Sequence, residues 1–163
     1  MGRTAERHSS AETRRVVAFG AAAWCLVFLI PHGYWGLGGR AGLGDSSRAA
    51  DQAFEQAWFT LYNGAVIVLC VLGAAWALLL ATPRLLDRPS GLLRLVALTA
   101  GVLLLLRGGV GLAALAVDVV SGDALPPLIL GLVEPAFVLG GLIWLALGRT
   151  IASARERTPS PGR

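Results

Sequence analysis

Four long apolar runs, separated by short polar segments, organise the chain: Val16 to Leu37, Trp58 to Leu80, Leu92 to Val120 and Leu125 to Leu147. At 1.5 Å per residue, about 20 apolar residues cross the roughly 30 Å of bilayer hydrocarbon as a helix. Each run reaches that length, so the pattern predicts an all-α, integral membrane four-helix bundle. The third run is long enough to tilt or to extend beyond the bilayer.

The polar segments predict the rest of the organisation. Residues 1–15 and 148–163 are too poor in apolar residues for a core and read as disordered tails. Ser46 to Phe59 reads as a short amphipathic helix leading into the second span. Thr82 to Gly91, with two prolines, reads as a tight turn, and Ser121 to Ala124 as a minimal one. Pro126 and Pro127 suit the first turn of the fourth helix. Thr13-Arg14-Arg15-Val16-Val17 faintly resembles a twin-arginine export signal, but no small-x-small cleavage site follows and three further spans come later.

Composition agrees with a membrane chain. Of 163 residues, 55% are hydrophobic and 15% charged, against about 25% charged in soluble domains. The 21 glycines suit helices that approach closely in a bilayer. A net charge of +4 would suggest nucleic acid in a soluble protein. Here the arginines flank the apolar runs, which makes them a topology signal and leaves no nucleic-acid partner to expect.

Eleven arginines lie in the N-terminal tail, around the second loop and in the C-terminal tail, against two in the first loop and none in the third. By the positive-inside rule the expected orientation is N-in, C-in, in the cell's inner (plasma) membrane. Tyr34, Trp35 and Trp58 then fall at the outer interface, where amphipathic rings anchor helices.

Ionisable groups inside a span are costly and are candidates for function. Arg107 lies mid-way along the third run and Glu134 nine residues into the fourth. Counted from the turn near Gly122, they should meet at similar depth. Arg107, Gly111 and Asp118 share a helical face, as do Gly131, Glu134 and Gly141. Pro135 should bend the fourth helix at Gly131. On the first two helices His32 shares a face with Cys25, and Asn63 with Cys70. The expected site is a polar pocket in the outer half of the bundle, lined by His32, Asn63, Arg107, Asp118 and Glu134. Each element also has a plain structural reading, namely an Arg107–Glu134 clamp, a hydrogen-bonded His32 and cysteines as small fillers.

His32-Gly33-Tyr34-Trp35-Gly36-Leu37-Gly38-Gly39 resembles the H-x-YW-x-LGG signature of a bacterial membrane family, domain of unknown function 3995. Leu105-Leu106-Arg107-Gly108 and Glu134-Pro135-Ala136-Phe137-Val138-Leu139-Gly140-Gly141 are similar to its third- and fourth-helix segments. The resemblance implies a four-helix membrane protein of actinobacterial origin and no particular activity.

Several activities lack their residues. One intramembrane histidine cannot supply both axial ligands of a haem b, and there is no CxxC for a quinone-coupled thiol oxidoreductase. HExxH, Walker and GxSxG motifs are absent. The expectation is a non-enzymatic protein with no cofactor, no metal and no catalytic residue. Its partners are the lipid bilayer and a small-molecule or lipid-like ligand, or else a membrane protein or a second copy docked on the bundle. A membrane redox or quinone-linked enzyme component is the alternative.

Overall fold

The computed structural model describes residues 2–43, 47–82, 91–122 and 131–156. Among the described residues it is all-α, with no strand and with the helices α1 (Gly2–Gly36), α2 (Ser47–Glu55), α3 (Ala57–Leu80), α4 (Gly91–Ser121) and α5 (Val133–Glu156) in that order. Among the described residues, four helical segments are long and apolar enough to cross a membrane: Ala11–Gly36, Ala57–Leu80, Gly91–Ser121 and Val133–Ile151. The chain is a multi-pass membrane protein.

Four boundaries differ from the sequence reading. Helix α1 runs back to Gly2, through residues expected to form a tail, and α5 runs on to Glu156, past the expected end at Leu147. Charged residues that cannot enter hydrocarbon can still continue a helix beyond it. The amphipathic segment is a helix of its own, because α2 stops at Glu55 and Phe59 donates its N–H to the Gln56 carbonyl to open α3. In the fourth run α5 begins only at Val133, after a turn at Leu132. Pro135 therefore sits in the first turn of α5, where its missing N–H costs no helical bond, instead of bending a continuous helix at Gly131. Residues 83–90 of the expected Thr82–Gly91 turn, residues 123 and 124 of the expected Ser121–Ala124 turn, and the proline pair at 126 and 127 lie outside the described residues.

The end of α1 explains the glycines of the HGYWGLGG segment. Gly38, at φ +90°, adopts the left-handed conformation that favours glycine. Its N–H donates to the Trp35 carbonyl, and the Gly39 N–H donates to the Tyr34 carbonyl. These two bonds form a Schellman cap. The Tyr34 ring lies over Gly39 so closely that a β-carbon there would fall 2.3 Å from it.

The chain divides into two compact units, residues 22–79 and residues 1–21 with 80–163. In the first, Cys25, His32, Asn63, Cys70 and Ala74 are buried on facing helices. In the second, α4 and α5 pack antiparallel through glycine notches. A β-carbon on Gly101 would meet Leu145, one on Gly108 Val138, one on Gly141 Leu105 and one on Gly148 Leu98. Gly108 and Gly141 also face backbone atoms of the opposite helix at 2.9 Å from that β-carbon position. Small residues let the two backbones come this close where no hydrophobic force drives helices together.

Candidate functional site

The five residues expected to line one pocket are described as two pairs, one in each unit, and a separate Asp118. In the 22–79 unit, His32 and Asn63 are 7% and 5% exposed. His32 Nδ1 lies 2.8 Å from Asn63 Oδ1, and Asn63 Nδ2 donates to the His32 backbone carbonyl at 3.0 Å. The second bond orients the amide, because a carbonyl only accepts. Asn63 then presents oxygen to the ring, so the proton of that bond belongs to Nδ1. A neutral His32 thus carries its lone pair on Nε2. No further hydrogen bond of the ring is formed among the described residues.

Aromatic rings surround this imidazole. Trp35 stands edge-on at 5.0 Å between centroids and Tyr62 at 6.0 Å, and Phe59 is 6.4 Å beyond Trp35. A β-carbon on Gly36 would crowd Ile67 Cδ1 at 3.1 Å and make ordinary contact with Asn63 Nδ2 at 3.5 Å.

The loop after α1 closes over the same end. Trp35 Nε1 donates to the Ala41 carbonyl at 2.9 Å, and Ala41 N–H donates to the Tyr34 hydroxyl at 3.4 Å. Arg40 Nε meets Asp51 at 2.5 Å, its Nη1 donates to the Gly38 carbonyl, and its guanidinium lies 5.0 Å from the centre of the Phe54 ring. Both ions are about half exposed, so the Arg40–Asp51 pair is a locating contact more than a stabilising one. Trp58, expected as an interfacial anchor, is exposed and donates from its indole to the Gln56 side chain.

In the second unit Arg107 Nη1 donates to Glu134 Oε2 at 2.6 Å, and the guanidinium lies 4.9 Å from the centre of the Phe137 ring. The Glu134 side chain is 14% exposed and that of Arg107 49%. Glu134 is in the first turn of α5, where the helix dipole favours a carboxylate. Asp118 stands three turns beyond Arg107 on α4, half-buried, with no hydrogen bond or ion pair among the described residues.

The model of a protein family described as "Protein of unknown function (DUF3995)" matches residues 25–144. The chain belongs to this family. No curated protein and no solved structure matches it. The part of the chain matched to DUF3995 begins at Cys25 and ends at Trp144, so it contains both polar pairs, the Schellman cap and all of the loop before α3.

Two features of this DUF3995 chain escaped sequence reasoning. The Arg40–Asp51–Phe54 contacts join residues eleven or more apart in a polar loop, where no periodicity marks partners. Arg14, counted with the polar tail, is only 8% exposed. A run of helix-forming polar residues before the first span was the available signal for that longer helix.

Proposed function

We propose that this DUF3995 chain lies in the cell's inner membrane with both termini in the cytoplasm, and that it binds a small or lipid-like molecule at His32 near the outer surface. The arginine distribution supports the orientation, eleven on one side against two on the other. The binding reading is carried by one observation. Asn63, oriented by its bond to the His32 backbone carbonyl, accepts from the ring at Nδ1, so that Nε2 is a preset acceptor within an aromatic surround. A buried polar group with a defined tautomer and one unused acceptor suits a ligand that brings a hydroxyl or amide donor and an apolar body.

In this orientation the Arg107–Glu134 pair belongs to the outer part of the hydrocarbon. Arg94 to Arg107 is 13 residues of α4, and Glu134 to Arg149 is 15 of α5. These are about 20 and 22 Å, measured from arginines at the cytoplasmic boundary. We assign this pair to holding α4 against α5 and the His32 site to binding.

Native mass spectrometry of the full chain, extracted in mild detergent, tests the binding. A bound small molecule or lipid should be retained by the wild type and lost in His32→Ala, with Arg107→Leu keeping it. Retention in His32→Ala would overturn the assignment, and a co-purifying quinone would move the site to redox chemistry. Alkaline phosphatase fused after Gly44 should be active, and after Arg88 or Arg157 inactive. Activity at Arg88 would overturn the orientation.

A further inference from the structure

Arg14 is the most deeply buried arginine among the described side chains. It is 8% exposed, and its Nε is fully buried with no hydrogen-bond partner. It belongs to the unit formed by residues 1–21 and 80–163, where Ala18, Ala97, Leu147 and Ile151 are 0 to 1% exposed. A guanidinium cannot shed its proton, and a buried unpaired charge is strongly unfavourable. Such a position calls for an anion.

The described side chains offer little to fill that role. Glu12, exposed on α1, is the only carboxylate with a described side chain at this end of the unit. The other charged side chains described there, Arg15, Arg94 and Arg149, are positive, and the side chains of Glu6, Asp87 and Glu156 lie outside the described ones. Gly20 lies against Ile143, with 3.8 Å from its β-carbon position to Ile143 Cγ2. As first and fourth spans of a four-span chain, α1 and α5 run antiparallel, so six residues earlier on α1 comes level with six later on α5. Arg14 is then level with Arg149. The contact of Gly148 with Leu98 brings Arg94 within about a turn of the same level. Arg14, Arg15, Arg94 and Arg149 thus gather at one end of the spans, the depth at which a bilayer carries its phosphates.

We infer that Arg14 is the buried anchor of a phosphate-binding site at this end of the molecule, and that the site takes the headgroup phosphate of an anionic phospholipid. The apolar layer beneath Arg14 excludes water, which strengthens a charge-assisted hydrogen bond to a phosphate oxygen. The exposed arginines add attraction for an anionic leaflet. This site is independent of the proposed role of His32.

The test uses the full chain in a neutral detergent, with phosphatidylglycerol, phosphatidylcholine or inorganic phosphate added, and the variants Arg14→Leu and Asp87→Asn. Phosphatidylglycerol should raise the wild-type Tm and phosphatidylcholine should not, and Arg14→Leu should lose the rise. Without anionic lipid Arg14→Leu should be at least as stable as the wild type, since it removes an uncompensated buried charge. A rise produced equally by inorganic phosphate would keep the phosphate site and overturn the lipid as its source. If Arg14→Leu lowers Tm alike in every condition, or Asp87→Asn copies its effect, the guanidinium is paired within the chain and the site does not exist.

Discussion

The carboxylate of Glu134 occupies the space that a β-carbon on Gly111 would fill, with Cδ and Oε2 both 2.0 Å from that position. Gly111 lies one turn beyond Arg107 on α4, so glycine and arginine together form the seat of the carboxylate. One helical stripe thereby supplies both the room and the charge.

Three glycines within four residues of α4 should therefore respond differently to alanine. At Gly108 the new methyl meets the Glu134 carbonyl and Val138 N at 2.9 Å, atoms that cannot move without parting the helices. Gly108→Ala should cost about 1–3 kcal/mol, as overpacking does. At Gly111 the obstacle is a flexible side chain, so Gly111→Ala should cost less and chiefly loosen the Arg107 contact. Gly109 has nothing within 4 Å, and Gly109→Ala should be neutral or stabilising by up to about 1 kcal/mol. Thermal unfolding in detergent ranks the three. A loss at Gly109 equal to that at Gly108 would mean that this face is covered by a partner.

The His32–Asn63 pair makes a spectroscopic prediction. The chain has two histidines, His8 and His32, so its nitrogen-15 imidazole spectrum is simple to assign. One of them should hold its proton on Nδ1, and Asn63→Leu should abolish that signature. Losing two buried hydrogen bonds should also cost about 2 kcal/mol, at roughly 1 kcal/mol each. A spectrum unchanged by Asn63→Leu would show that the bond does not set the tautomer.

Arg107 and Glu134 differ in what each leaves behind. In Arg107→Leu the carboxylate can take up a proton and become neutral. In Glu134→Leu the guanidinium stays charged in the hydrocarbon, at about 2.5–3.5 kcal/mol on insertion scales. Glu134→Leu should lower folded yield more than Arg107→Leu, and the double leucine variant should recover part of the loss. Strictly additive losses would show that the two are not energetically coupled.

How much was legible in the sequence follows from what kind of signal each feature leaves. Run length gives the four spans, and counting residues from Gly122 gives the Arg107–Glu134 pair, because consecutive antiparallel helices share a register. The start of α5 at Val133 was not legible. Pro135 fits the first turn of a helix as well as a bend within one, and apolar residues on both sides hide the break. The polar residues before Val16 read as a tail because hydropathy marks where a helix enters the membrane and not where it begins. Asn63 was legible as a polar residue in a span, but its second bond, to the His32 carbonyl, was not, since any residue has a carbonyl.

The same register arithmetic leads to the cysteines. His32 and Asn63 face each other across antiparallel α1 and α3. Seven residues is nearly two full helical turns, so moving that far along each chain toward the other helix ends returns to the same faces. The step leads from His32 to Cys25 and from Asn63 to Cys70, which should therefore face each other as well. Both thiols are free and buried, at 3% and 6% exposure. Ala74, a further turn along α3 on the same face, is buried too, as a facing pair of helices requires. Copper phenanthroline, which enters membranes, should crosslink Cys25 to Cys70 within one chain. Cleavage of the chain in the loop before α3 would then leave two fragments joined until a reductant is added. Two fragments that separate without reductant would displace the α1–α3 register read from His32 and Asn63. Buried free cysteines commonly serve as small apolar fillers. The double alanine variant should therefore keep the wild-type abundance and retain whatever molecule His32 binds. A loss of that molecule with unchanged folding would make the cysteines part of the site instead of its packing.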